Sequence, residues 1–126
     1  MIIMRSVILL TATLMGVWFI FDGLRAIVQG DYTTASSGPH AGQLGPWSKL
    51  VGAAGVNPRG TAMKVIHVFA GASWLLSAVL FAAKPSLGRP MLAVSAVCSL
   101  WYLPLGTVLA MAELCMLFLP QVRNIK

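Results

Sequence analysis

Between Met91 and Leu119 the chain carries one charged side chain, Glu113, and its apolar character is interrupted only at Leu103-Pro104-Leu105-Gly106-Thr107. As one helix, this stretch of about 29 residues would measure about 44 Å, too long for a bilayer core of about 30 Å without heavy tilt. As two helices joined at the Pro104–Gly106 break, each arm reaches only about 21 to 25 Å. Either solution needs lipid as the solvent. Hydrophobic residues make up 58% of the 126 positions, charged residues 10%, and the mean hydropathy is +0.84. A soluble chain of this size has too much surface to hide so much apolar area from water.

Two further apolar runs precede this one. Ser6 to Phe21 follows Arg5 and ends in Trp-Phe-Ile-Phe-Asp-Gly without a small-x-small cleavage pattern, which reads as an uncleaved anchor. The expected spans are therefore about 4–28, 59–83, 90–103 and 107–120, in a single all-α transmembrane domain of residues 1–126. The alternative has three spans, the last kinked at Pro104. Residues 30–57 form a polar loop in which Pro46 to Val51 is a candidate interfacial helix with Pro46 at its first position. Asn57-Pro58 reads as N-cap and first position of the next helix, and Ser86 to Pro90 as a tight connection.

Aromatic placement favours four spans, because Trp18, Tyr32, Trp47, Trp101 and Tyr102 then gather near one interface. Charge counting is less decisive. Four spans set Arg5, Lys84, Arg89, Arg123 and Lys126 against Arg25, Lys49, Arg59 and Lys64, a weak bias that puts both termini in the cytoplasm of a multi-pass inner-membrane protein. Three spans give a stronger bias, against the aromatic argument. The net charge of +6 comes from basic residues spread singly, which makes no nucleic-acid-binding patch.

Glu113 lies near the middle of an apolar run, where a carboxylate costs several kcal/mol unless paired, protonated or facing a polar cavity. It is the candidate intramembrane site. Lys64 and His67 share a face of the second span, and with Glu113 they would line a polar path from the outer interface. The plainer alternative is a satisfied packing histidine and a glutamate that locks two helices together. Asp22 and Arg25, three apart, form a candidate interfacial ion pair. Tyr32, Trp47, Trp101 and Tyr102 form a candidate docking surface. Cys98 and Cys115, within apolar runs, read as packing residues. The seven methionines show no cluster suited to copper, and no metal, cofactor or catalytic motif is expected. Small residues in the middle spans (Gly71, Ala72, Ser73, then Ala93, Ser95, Ala96, Ser99) point to close helix packing.

Three stretches, Phe21-Asp22-Gly23-Leu24-Arg25 running to Gly30-Asp31-Tyr32, Gly42-Gln43-Leu44-Gly45-Pro46-Trp47, and Leu100-Trp101-Tyr102-Leu103-Pro104-Leu105-Gly106-Thr107, together resemble a family of small bacterial four-helix membrane proteins to which no activity is attached. The resemblance covers most of the chain and implies that the polar loop and the Trp-Tyr-Leu-Pro turn form its recurring surface. Small multidrug exporters are similar in size and span number but keep their essential glutamate in the first span, so their function is not carried over. The expectation is a non-enzymatic accessory subunit partnered by the bilayer and by itself or a larger membrane protein. A dimeric proton- or cation-coupled transporter working through Glu113 is the alternative. A membrane-embedded redox or lipid-modifying enzyme, resting on His67 and the two cysteines, comes third.

Overall fold

In the computed structural model, residues 2–125 are described. Met1 and Lys126, the latter one of the basic residues counted above, lie outside them. The described residues form six helices and no strand: α1 (Ile2–Gln29), α2 (Pro46–Ala53), α3 (Thr61–Ala83), α4 (Pro85–Val97), α5 (Leu105–Leu117) and α6 (Pro120–Arg123). Helices α1 and α3, with 28 and 23 residues, are long and apolar enough to cross a membrane. Helices α4 and α5 have 13 residues each, about 20 Å.

The Pro104 break is a reversal of direction. Arg89, at the start of α4, donates to the carbonyls of Val122 (3.2 Å) and Arg123 beyond the end of α5. The two arms therefore run antiparallel from the 98–104 turn, whose Leu103–Pro104 peptide is cis. A single kinked helix does not describe residues 91–119. Likewise Arg5, in the first turn of α1, donates to the Ala82 carbonyl at the end of α3. The order is up, down, up, down, with α1 against α3 and α5, and α4 against α3 and α5.

Two local expectations are corrected. Lys84 alone separates α3 from α4, because Pro85 takes the first helical position and Leu87 and Gly88 N–H groups bond back to the Lys84 carbonyl. Ser86 to Pro90 is thus helix, with Pro90 inside it. Asn57 does not cap α3. Its Oδ1 accepts from Arg59 N–H and its carbonyl from Gly60 N–H, both at 3.0 Å, closing a turn before a helix that starts at Thr61. The Pro46 helix forms as expected, with Trp47 turned inward and Leu50 exposed.

Close approach, rather than large apolar side chains, sets the helix spacing. A Cβ on Gly71 of α3 would lie 2.6 Å from the Gly16 carbonyl oxygen of α1. A Cβ on Gly88 of α4 would lie 2.0 Å from the Phe81 backbone nitrogen. Hydroxyls complete the α3–α4 seam: Ser73 and Ser95 are 2.6 Å apart, Trp74 Nε1 donates to Ser99 Oγ at 2.9 Å, and Ser99 Oγ donates to the Ser95 carbonyl. Small residues and shared hydroxyls are the means by which helices associate where lipid removes the hydrophobic drive.

The outer surface is apolar around every long helix, with Leu10, Leu14, Phe21, Phe69, Leu76, Val94, Val108 and Phe118 all exposed. The polar residues Asp22, His67, Ser77, Ser95, Ser99 and Glu113 are buried. Cys98 and Cys115, read above as packing residues, are free and exposed on this apolar exterior.

Candidate functional site

The most elaborate polar and aromatic structure lies at one end of the bundle, where the second half of α1, the start of α3, the 30–45 loop with α2, and the 98–104 turn converge. Its centre is His67, fully buried. Around the imidazole stand the rings of Tyr32 (centroids 4.7 Å apart), Trp47 (4.9 Å), Phe19 (5.5 Å), Trp101 (5.5 Å) and Tyr102 (5.7 Å). His67 Nδ1 lies 2.8 Å from the Met63 carbonyl oxygen. A carbonyl can only accept, so Nδ1 carries the proton and Nε2 presents a lone pair. That lone pair has no hydrogen-bond partner among the described residues, and neither has the buried Tyr32 Oη.

Charged side chains hold the loop over this cluster. Arg25 Nη1 donates to the Asp31 and Tyr32 carbonyls at 2.9 and 2.7 Å. Asp22 Oδ1 accepts the Thr33 N–H at 2.6 Å. Arg59 Nε pairs with Asp31 Oδ1 at 3.0 Å while its Nη2 reaches the Gly42 carbonyl, and Lys64 Nζ reaches the Gly30 carbonyl at 3.1 Å. Each long charged side chain thus satisfies loop backbone groups that no regular element pairs. Burial alone pushes the Asp31 carboxyl up. The hydrogen bonds from Arg59 and Tyr32 N–H and the charges of Arg59 and Lys64 outweigh it and leave the pKa below its ordinary value. Burial, with the charges of Asp22 and Asp31, pushes the Tyr32 phenol up, so it stays a neutral donor.

Between Asp22, Tyr32, Trp47 and Tyr102 and the 103–105 segment is a cavity of about 160 Å³. Trp18 forms another part of its wall and donates through Nε1 to Tyr102 Oη at 2.7 Å. No lysine, arginine or histidine lines it.

The structure regroups the residues singled out in the sequence. Asp22 and Arg25 do not pair. Among the described residues the ion pair is Arg59–Asp31, and Asp22 and Arg25 hold the loop separately. Tyr32, Trp47, Trp101 and Tyr102 do come together, but inward: Tyr32, Trp47 and Tyr102 are buried and only Trp101 is half-buried, so they are not an exposed docking surface. Lys64, His67 and Glu113 form no continuous path. Lys64 turns to the loop, His67 belongs to the aromatic cluster, and both Glu113 oxygens are buried without a hydrogen-bond partner among the described residues. Phe19, Asp31 and Arg59 are the participants that sequence reasoning missed. Phe19 lies on the α1 face marked by Ala12, Gly16, Gly23 and Ala26, so small residues at helical spacing were the available signal.

No group of three or more His, Cys, Asp or Glu that could hold a metal occurs among the described residues. Cysteine, histidine and carboxylate are likewise not assembled into a nucleophile–base arrangement there: His67 touches rings and a backbone carbonyl, and both cysteines face outward. No family model, curated protein or solved structure matches this chain.

Proposed function

We propose that this chain is a multi-pass integral membrane protein of four short helices that serves as a non-catalytic accessory subunit. One observation carries the reading: apolar side chains cover the outside of α1, α3, α4 and α5, while the uncompensated polar residues lie inside. Water would make such an exterior a liability, and lipid makes it a requirement. The antiparallel α4–α5 hairpin then crosses with its flanking apolar residues Leu100, Leu103, Phe118 and Leu119, at the cost of some local bilayer thinning. On this reading both termini lie in the cytoplasm and the aromatic end faces outward. Reporter cysteines at Ser37, Leu105 and the C-terminus, in a background lacking Cys98 and Cys115, test it in intact cells. Labelling from outside at the first two only is expected. A silent Leu105 overturns the four-span arrangement. Affinity capture in mild detergent should return a second membrane protein or a second copy, and recovery of a lone monomer overturns the accessory role.

A second reading, cation- or proton-coupled transport, is favoured by Glu113, whose fully buried carboxyl group has no partner among the described residues. Such a group is expensive at membrane depth and is a functional candidate for that reason. Under this reading Glu113→Gln abolishes proton-coupled uptake into vesicles while membrane insertion is unchanged. A Glu113→Gln variant that keeps full uptake removes the reading.

A further inference from the structure

The cavity beside Asp22 combines features that neither packing nor loop attachment requires. Its wall contains a carboxylate and four aromatic side chains, Trp18, Tyr32, Trp47 and Tyr102, with no cationic side chain among them. The nearby Arg25 and Arg59 are committed elsewhere, to the Asp31 and Tyr32 carbonyls and to the Asp31 carboxylate with the Gly42 carbonyl. Asp22 is 3% exposed and accepts one hydrogen bond, from the Thr33 N–H, which leaves most of its acceptor capacity unfilled. Tyr32 is 1% exposed, lines the same cavity, and its Oη is buried without a partner.

An anion in this space would meet the Asp22 carboxylate. A purely apolar guest would leave the Asp22 charge uncompensated. A bare metal ion would find one carboxylate where several oxygen ligands are needed. A compact organic cation fits the wall, because aromatic rings attract a weakly hydrated ammonium and the Asp22 carboxylate balances its charge. A cavity of about 160 Å³ is large enough for a compact ammonium ion.

We propose that this cavity is a binding site for a compact organic ammonium ion of trimethylammonium type, with Asp22 as its counter-ion and Trp18, Tyr32, Trp47 and Tyr102 as its aromatic cage. This goes beyond the accessory role and does not depend on the number of spans. The same chemistry is offered by a free solute and by the headgroup of a phosphatidylcholine lipid.

The probe is tetramethylammonium chloride, titrated against the intrinsic tryptophan fluorescence of the purified full chain, with sodium chloride at matched ionic strength as the reference. A saturable change is expected that sodium does not produce, weakened about tenfold or more in Asp22→Asn. Asparagine keeps an oxygen for the Thr33 N–H, so the loop attachment survives the substitution. If Asp22→Asn does not purify as a native-like particle, Trp18→Leu, which removes one half-buried wall of the cage, should weaken binding several-fold. Absence of saturable binding overturns the proposal, as does unchanged affinity in the variant that folds. Equal affinity for tetrabutylammonium overturns it too, since that points to partition into apolar surface. Nanodiscs of lipids without net charge distinguish the sources: weaker tetramethylammonium binding in phosphatidylcholine than in phosphatidylethanolamine supports a choline headgroup, and equal binding in both supports a free solute.

Discussion

The two ends of the bundle use the same kinds of residue for different ends. At the end holding the termini, cations act singly on helix ends: Arg5 on the Ala82 carbonyl of α3, and Arg89 on the Val122 and Arg123 carbonyls. Such contacts satisfy orphan carbonyls and suit the negative end of the helix dipole. The helices there are joined tightly, with one residue between α3 and α4 and no room for a Cβ at Gly88. At the other end the helices are joined by longer segments, and Arg25, Arg59 and Lys64 act on loop backbone instead. What fills the space beneath the loop is a set of aromatic rings around His67 with a cavity beside them. The α3–α4 joint at one end is closed by backbone contact, and the loop at the other end is held over its rings by side chains.

The largest test of this contrast is Gly88→Ala. A Cβ there meets the backbone of Phe81, which cannot rotate away, so a loss of about 3 kcal/mol or more is expected, read as the thermal midpoint in detergent. Near-normal stability would mean that the closed end is not closed by that contact. At the loop end, Trp47→Leu removes a ring packed on Tyr32, His67, Trp101 and Tyr102 and should cost about 2–4 kcal/mol. Its signature is local: faster proteolysis of residues 30–45 with the helices still assembled. Equal sensitivity at both ends would erase the distinction.

Smaller effects sharpen it. The Arg59–Asp31 pair is 46% and 40% exposed, so its contribution is about 1 kcal/mol at most. The folded state holds the Asp31 pKa down. This stabilisation is therefore present above the ordinary carboxylate pKa of about 3.9 and is lost as pH falls through the lower folded value. Proteolysis of the loop should accelerate as the pH falls toward 3. Asp31→Asn should be loosened already at pH 6 and show less of that acceleration. Arg5→Gln, at the closed end, removes a single helix-end contact on an exposed carbonyl and should cost about 0.5 kcal/mol with no change in loop proteolysis.

Much of the helix layout was legible in sequence because the apolar runs are long and the breaks carry Pro and Gly. Pro46 and Pro104 mark a helix start and a reversal, and both occur where the residue types require them. The inner faces were harder to read. In a helix such as α1, Leu10, Leu14 and Phe21 face outward while Ile8, Met15 and Phe19 face inward, so hydrophobic periodicity does not separate the two sides. Small and polar residues, Gly16, Gly23 and Asp22 on α1 and Gly71 and His67 on α3, mark the interior instead. The five aromatics expected near one interface do share one end, yet the burial of Tyr32, Trp47 and Tyr102 could not be anticipated, because an aromatic ring at an interface satisfies both an exposed and an inward reading.

The composition and the spacing of breaks determined that the described residues are all-helical, with two helices long and apolar enough to cross a membrane. They also determined that the basic residues lie at or near helix ends and in the loop, where the cost of a charge is low, and that Glu113 stands alone within an apolar run. Tertiary structure alone decided which charges meet. Asp22 and Arg25 are one turn apart on a helix, but the loop folding back offers each a backbone partner at shorter reach, so the local pair gives way to two long-range contacts. It also decided that His67, Tyr32 and Trp47 share one cluster, because a chain of 126 residues fixes such contacts through the crossing of α1 and α3 at Gly16 and Gly71, a geometry no single stretch of sequence contains.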